Sequence, residues 1–196
     1  MKITSLIILA TISLCVSLCC PEDDDYNGNH YFIENNELLS VQNNITQLNV
    51  GDTLYFETNI NTIQTTTTND TIDLYDFSRP DESMRYHLFV YKPNSNDDLE
   101  PLTLNENTII PITGPILVSE DPDNPYITVE TILENDAFKN VFGVVVLETG
   151  TFYIGSYLDA PNGEINVIIS NGIDDVHINT KIVNSNPQGL YQFTVN

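Results

Sequence analysis

Three histidines are the natural starting point for acid–base or metal chemistry in this chain: His30, His87 and His177. His87 and His177 fall on the polar faces of alternating segments. With a carboxylate they would supply a zinc-type ligand set if those segments were neighbours. Oxygen ligands are more abundant. The stretch Asn94-Ser95-Asn96-Asp97-Asp98-Leu99-Glu100 places oxygen side chains at alternate positions, Asn94, Asn96, Asp98 and Glu100, and Ser119-Glu120-Asp121-Pro122-Asp123-Asn124 does so more briefly at Asp121 and Asp123. Alternate oxygens let a loop curl round a hard cation, so both are candidate calcium loops, although neither has the glycine and terminal glutamate of an EF-hand. Calcium is the one cofactor suggested by this pattern.

Nucleophilic catalysis has less to work with. The chain contains no Gly-x-Ser-x-Gly turn, no His-Glu-x-x-His, no phosphate-binding glycine loop and no Gly-x-Gly-x-x-Gly. With 28 acidic residues, any one pair chosen as a glycosidase-like acid and base would be arbitrary. Tyr153 and Tyr157 flank Gly155 on one face of an extended segment, about 13 Å apart by strand rise, which makes them a candidate platform for a sugar ring. The chain has no tryptophan to strengthen it. Asp52-Thr53-Leu54 and Asp70-Thr71-Ile72 resemble the Asp-Thr-aliphatic acceptor for O-glycosylation of exported Bacteroidetes proteins. The resemblance makes Thr71, which follows a loop-like Thr-rich run, and Thr53 candidate modification sites.

These residues must be positioned by strands. From Tyr26 onward the text is rich in Asn, Thr, Ile, Val and Tyr and poor in Ala and Lys, which favours strands over helices. Strand-length runs at 53–58, 84–92, 126–133, 141–147, 151–158, 164–170, 176–183 and 190–195 are separated by turn residues such as Asn162-Gly163, Asn171-Gly172 and Pro187-Gln188-Gly189. Weaker candidates are 38–41, 102–104, 108–112 and 116–118. Along 84–92 one face carries Met84, Tyr86, Leu88 and Val90 and the other Arg85, His87, Phe89 and Tyr91. That alternation suits sheets with one dry and one wet face. The run 141–147 is apolar nearly throughout and is therefore expected to be central. The spacing predicts an antiparallel meander of the last five strands and helical character only at 134–140. The fold class that follows is all-β, a single-domain antiparallel β-sandwich over 31–196. Its Gly150-Thr151-Phe152-Tyr153 stretch resembles the corner tyrosine of immunoglobulin-like sandwiches, and the strand number fits that class or a jelly roll.

Composition narrows the partners. Six basic residues against 28 acidic ones give a net charge of −22, so nucleic acid is excluded by repulsion of its phosphates. All three cysteines, Cys15, Cys19 and Cys20, lie before Pro21, so 21–196 holds neither an internal disulfide nor a thiolate metal site. They sit in or beside an apolar run that begins after Lys2 and reaches Cys20, the order of a secretory signal over 1–19. Cys20, with Cys19 as the alternative, occupies the place of a lipobox cysteine. The acidic block Glu22-Asp23-Asp24-Asp25 follows within a tether over 20–30. Leader, cysteine pair and acidic block together resemble surface lipoproteins of Bacteroidetes-type bacteria. That resemblance implies N-terminal acyl chains in a lipid bilayer, an outer-membrane location facing the cell exterior, and Glu22 to Asp25 as an export tag. The function expected is a non-enzymatic binding or structural β-domain of the cell envelope, with envelope proteins or glycans as partners. The alternative is a surface-anchored glycan-active hydrolase or calcium-dependent sugar-binding domain.

Four consecutive carboxylates repel one another and stay hydrated, so the tag is expected to remain extended and readable. Replacing Glu22, Asp23, Asp24 and Asp25 by Ser and Asn at constant length should leave the chain lipidated but shielded from protease on intact cells. Unchanged accessibility would reduce the block to a spacer.

Overall fold

The computed structural model describes residues 28–78, 83–119, 121 and 124–196. The cysteines, the leader and Glu22 to Asp25 lie outside these residues, as does Asp123. The described chain is all-β. Its strands are β1 (His30–Glu34), β2 (Leu39–Val41), β3 (Gln47–Leu48), β4 (Thr53–Asn61), β5 (Ile63–Thr65), β6 (Thr71–Asp73), β7 (Arg85–Pro93), β8 (Leu99–Pro101) and β9 (Ile109–Thr113). They continue as β10 (Ile116–Val118), β11 (Ile127–Glu130), β12 (Ile132–Glu134), β13 (Ala137–Val145), β14 (Gly150–Gly155), β15 (Ile165–Ser170), β16 (Asp175–Thr180) and β17 (Tyr191–Val195). Among the described residues no helix is long and apolar enough to cross a membrane.

Two large sheets face each other. The first runs β10-β11-β7-β14-β17-β3 with β8 added beside β7; the second runs β12-β13-β4-β2 with β9 beside β13. A third sheet, β1-β16-β15, stands apart in hydrogen bonding but sends Ile33, Ile165, Val167, Ile169, Val176 and Ile178 into the same apolar cluster. Most pairings are antiparallel, while β1 with β16 and β17 with β3 are parallel.

Alternation explains which side chains meet. In β4, Leu54, Phe56, Thr58 and Ile60 point inward, and in β7 Tyr86, Leu88 and Val90 do so. Phe56 and Phe142 are directly opposite across β4 and β13, with ring centroids 5.2 Å apart. Phe152 and Phe193 form the same kind of pair across β14 and β17 at 5.6 Å. All four rings belong to one core and are essentially inaccessible. A hydroxyl contact between Thr58 of β4 and Tyr86 of β7 ties the two sheets inside that core. β13 is central, as its apolar text implied: it pairs with β4 along its whole length and with β12 and β9 on its other edge.

Two local expectations are corrected. Residues 134–140 are not helical; Asn135 and Asp136, at φ 51° and 61°, make the turn of the β12–β13 hairpin. Asn and Asp tolerate left-handed backbone, and a two-residue turn of this kind matches strand twist. The last five strands are not a meander either. β14 and β17 pair in the first sheet, β13 lies in the second, and β15 and β16 form a hairpin in the third.

Burial pushes the Tyr86 phenol well above its ordinary value, with the Thr58 hydroxyl opposing the shift weakly. A raised folded value means that the neutral phenol stabilises the fold. That contribution is complete below about pH 10 and is lost as the pH rises above it. The urea midpoint of the wild type should therefore fall above pH 10, and fall less in Tyr86→Phe. Phe142→Ala should cost about 3–5 kcal/mol at neutral pH, as large-to-small changes in a packed core do.

Candidate functional site

The outward side of β7 is not simply wet. Phe89 and Tyr91 are buried there because Leu190 packs on them, with Leu99, Tyr126 and Tyr153 around the edge. The rings touch in series: Phe89 stands 5.9 Å from Tyr126 and 5.5 Å from Tyr157, and His87 meets Tyr126 edge-on at 4.7 Å. Tyr157 keeps half of its surface in solvent. The Tyr91 hydroxyl donates to the Ser156 carbonyl at 2.9 Å. Burial of the Tyr91 phenol raises its pKa.

Glycine is required where backbones cross this cluster. A Cβ on Gly155 would lie 2.4 Å from the Gly189 carbonyl oxygen, and one on Gly163, at φ +66°, would lie 2.1 Å from that of Gln188. The glycine between Tyr153 and Tyr157 thus admits a neighbouring chain segment instead of leaving a bare floor. Both tyrosines nevertheless join one aromatic cluster.

Beside the cluster runs a groove of about 510 Å³ whose lining includes Asn44, Gln47, Asn184, Ser185, Gln192 and Thr194. β17 positions it. Its inward side chains, Tyr191, Phe193 and Val195, anchor the strand in the core, leaving Gln192 and Thr194 on the outer side. Gln192 is opposite Tyr153, and Thr194 is opposite Gln47 of β3. At one wall the Asn184 side-chain amide donates to the Asn44 side-chain oxygen, Oδ1, at 2.8 Å. The Tyr191 hydroxyl donates to the Ile45 carbonyl at 3.0 Å. Leu190 belongs to both the groove lining and the aromatic cluster.

The other candidates are placed as follows. Residues 94–98 form the turn between β7 and β8. The Asn94 side-chain oxygen accepts from the Asn96 and Asp98 backbone amides, and its amide nitrogen donates to Glu100 at 2.8 Å. The Asn94 oxygen therefore has a turn-forming job, while Asn96, Asp98 and Glu100 are exposed. Asp121 is exposed in the loop before β11, its backbone amide donating to the Ser119 hydroxyl. Thr71 is exposed at the start of β6, and Thr53 is half-buried within the β4 ladder.

His87 and His177 are not brought together. β15 pairs with β16 and packs against β7, so it intervenes between the two histidine strands. His87 instead contacts the Thr128 hydroxyl at 3.1 Å. Partial burial lowers its pKa, which favours the neutral imidazole. His177 lies beside His30, the last residue of the expected tether.

Fold and surface together define an all-β sandwich with an aromatic outer-face cluster next to an amide-lined groove. No protein-family model matches the chain, and no curated protein matches it in sequence.

The glycine crossing yields a direct expectation. Gly163→Ala adds a left-handed penalty and a backbone clash, and should destabilise by roughly 2–5 kcal/mol. Gly172→Ala, whose new Cβ meets nothing, should cost only about 1–2 kcal/mol. Equal losses in chemical denaturation would remove the crossing as a constraint.

Proposed function

We propose that this chain is a lipid-anchored, non-enzymatic binding domain of the outer envelope of a Bacteroidetes-type bacterium. Its groove between β17, β3 and the segment around Asn184 takes a neutral, hydroxyl-rich ligand of the glycan class. The observation that carries the reading is the groove's lining. Asn44, Gln47, Asn184, Ser185, Gln192 and Thr194 are all uncharged amides and hydroxyls. Such groups both donate and accept, which is what a sugar hydroxyl asks of its partner. Leu190 and the adjoining aromatic cluster add an apolar border for the ring faces of a sugar. The net charge of −22 works against polyanionic ligands and leaves neutral ones favoured. A tethered receptor needs little more than such a surface and an anchor. The cysteine and acidic block after the leader are the features that support the anchor.

Metabolic labelling with a palmitate analogue should mark the wild-type chain and fail to mark the Cys19→Ser, Cys20→Ser double variant. Affinity electrophoresis of the full-length chain in detergent, through gels containing neutral glucans, mannans or xylans, should show retardation by at least one polymer. Gln47→Ala and Gln192→Ala should each weaken it about fivefold, the worth of one hydrogen bond. Retention unaffected by both substitutions, or none with any neutral polymer, would overturn the ligand assignment. A labelled double variant would overturn the anchor.

A further inference from the structure

We propose that His30, Asp175 and His177 form a binding site for a transition-metal dication of the zinc class on the outer face of the third sheet. Among the described residues this is the group in which three side chains of metal-ligating type converge, with one ligand atom from each lying within 4.8 Å of the others. The convergence follows from register. β1 and β16 run parallel, His30 opposite Asp175 and Phe32 opposite His177. Residues two apart on a strand share a face, so Asp175 and His177 point the same way, with His30 across from them.

The distances are those of a site close to its bound form. A tetrahedral ion with bonds of about 2.0–2.1 Å holds its ligand atoms roughly 3.3 Å apart. His30 Nδ1 already stands 3.6 Å from an Asp175 carboxylate oxygen. The His30 and His177 ring centroids are 5.9 Å apart, within reach of closure by rotation of the exposed His30 side chain.

Neighbouring contacts hold the ligands in place. Asn29, just before His30, donates its backbone and side-chain amides to one Asp174 carboxylate oxygen at 2.7 and 3.1 Å. Its carbonyl accepts from the Asp175 amide at 2.9 Å. Phe32 stacks on the His177 ring at 5.1 Å with an interplanar angle of 17°, which restrains the imidazole. Backbone and ring are therefore set before an ion arrives.

Donor chemistry selects the metal. Two imidazoles and one carboxylate suit zinc and its transition-metal neighbours, whereas calcium and magnesium prefer oxygen alone. Three protein ligands at a partly exposed position leave a fourth for water. A bound ion would clip β1, the strand entering the domain from the tether, onto β16. In 21–196, where no cysteine occurs, it would tie together segments about 145 residues apart, much as a disulfide would.

The test is titration of the EDTA-stripped full-length chain, in detergent, with zinc chloride. One equivalent should bind, and the melting temperature should rise by roughly 5 °C or more at a hundredfold excess over Kd. Calcium chloride at the same concentration should produce no shift. His30→Gln and His177→Gln should each weaken zinc binding more than about tenfold, with metal-free circular dichroism unchanged, while His87→Gln should bind as wild type. Absence of zinc uptake, or uptake that survives both substitutions, would overturn the site. Should a substitution disturb the fold, Co²⁺ on the wild-type chain decides. A ligand-field spectrum without a thiolate charge-transfer band supports the assignment, and a thiolate band moves the ion to the leader cysteines and overturns it.

Discussion

Everything in this fold depends on burial between two sheets that no covalent link joins after Pro21. The burden falls on large rings in register. Phe56 with Phe142, and Phe152 with Phe193, are cross-strand pairs contributed by the two main sheets to one core. Each buried phenylalanine is worth about 1.5–3 kcal/mol by area alone, and paired rings add to that. The Thr58–Tyr86 hydroxyl pair sits in the same layer and satisfies two polar groups that burial would otherwise penalise. Surface ion pairs such as Arg85 with Glu130 at 3.0 Å are exposed and add little.

Once inward positions are committed to that core, the alternate positions become the surface on which function can be built. β17 illustrates the coupling. Tyr191, Phe193 and Val195 hold it in the core, so Gln192 and Thr194 must face the groove. β7 does the same with Phe89, whose ring organises the aromatic cluster. In the third sheet Ile33, Val176 and Ile178 are buried, which turns His30, Asp175 and His177 outward. Three separate surface features thus follow from one rule of strand geometry.

Alternation was legible in the sequence wherever a strand was long enough to show it. The inward faces of 84–92 and 176–183, the central place of β13 and the all-β class could be read directly, because each depends on residues near one another in the chain. The burial of Phe89 and Tyr91 on the other face of β7 depends instead on the distant Leu190. Partner choice could not. Nothing in 164–183 announces that β15 and β16 leave the first sheet, since that outcome is decided by which apolar face remains uncovered. β1 is only five residues long and carries little pattern, so neither the strand nor the proximity of His30 to His177 is legible in the sequence. At 134–140, Asn135-Asp136 was the available turn signal, outweighed by the apparent spacing around it. The reason for a glycine at 155, between the two tyrosines, is the carbonyl of Gly189, a neighbour no local pattern encodes.

The most direct test of the account is native-state hydrogen exchange read at single amides. If interlayer burial around the phenylalanine pairs holds the molecule together, the slowest amides should lie in β4, β13, β14 and β17, at Phe56, Phe142, Phe152 and Phe193. These should open only with global unfolding, while β5, β6 and the 94–98 turn exchange at much lower free energy. Slowest exchange in the third sheet, with β4 and β13 opening earlier, would contradict it.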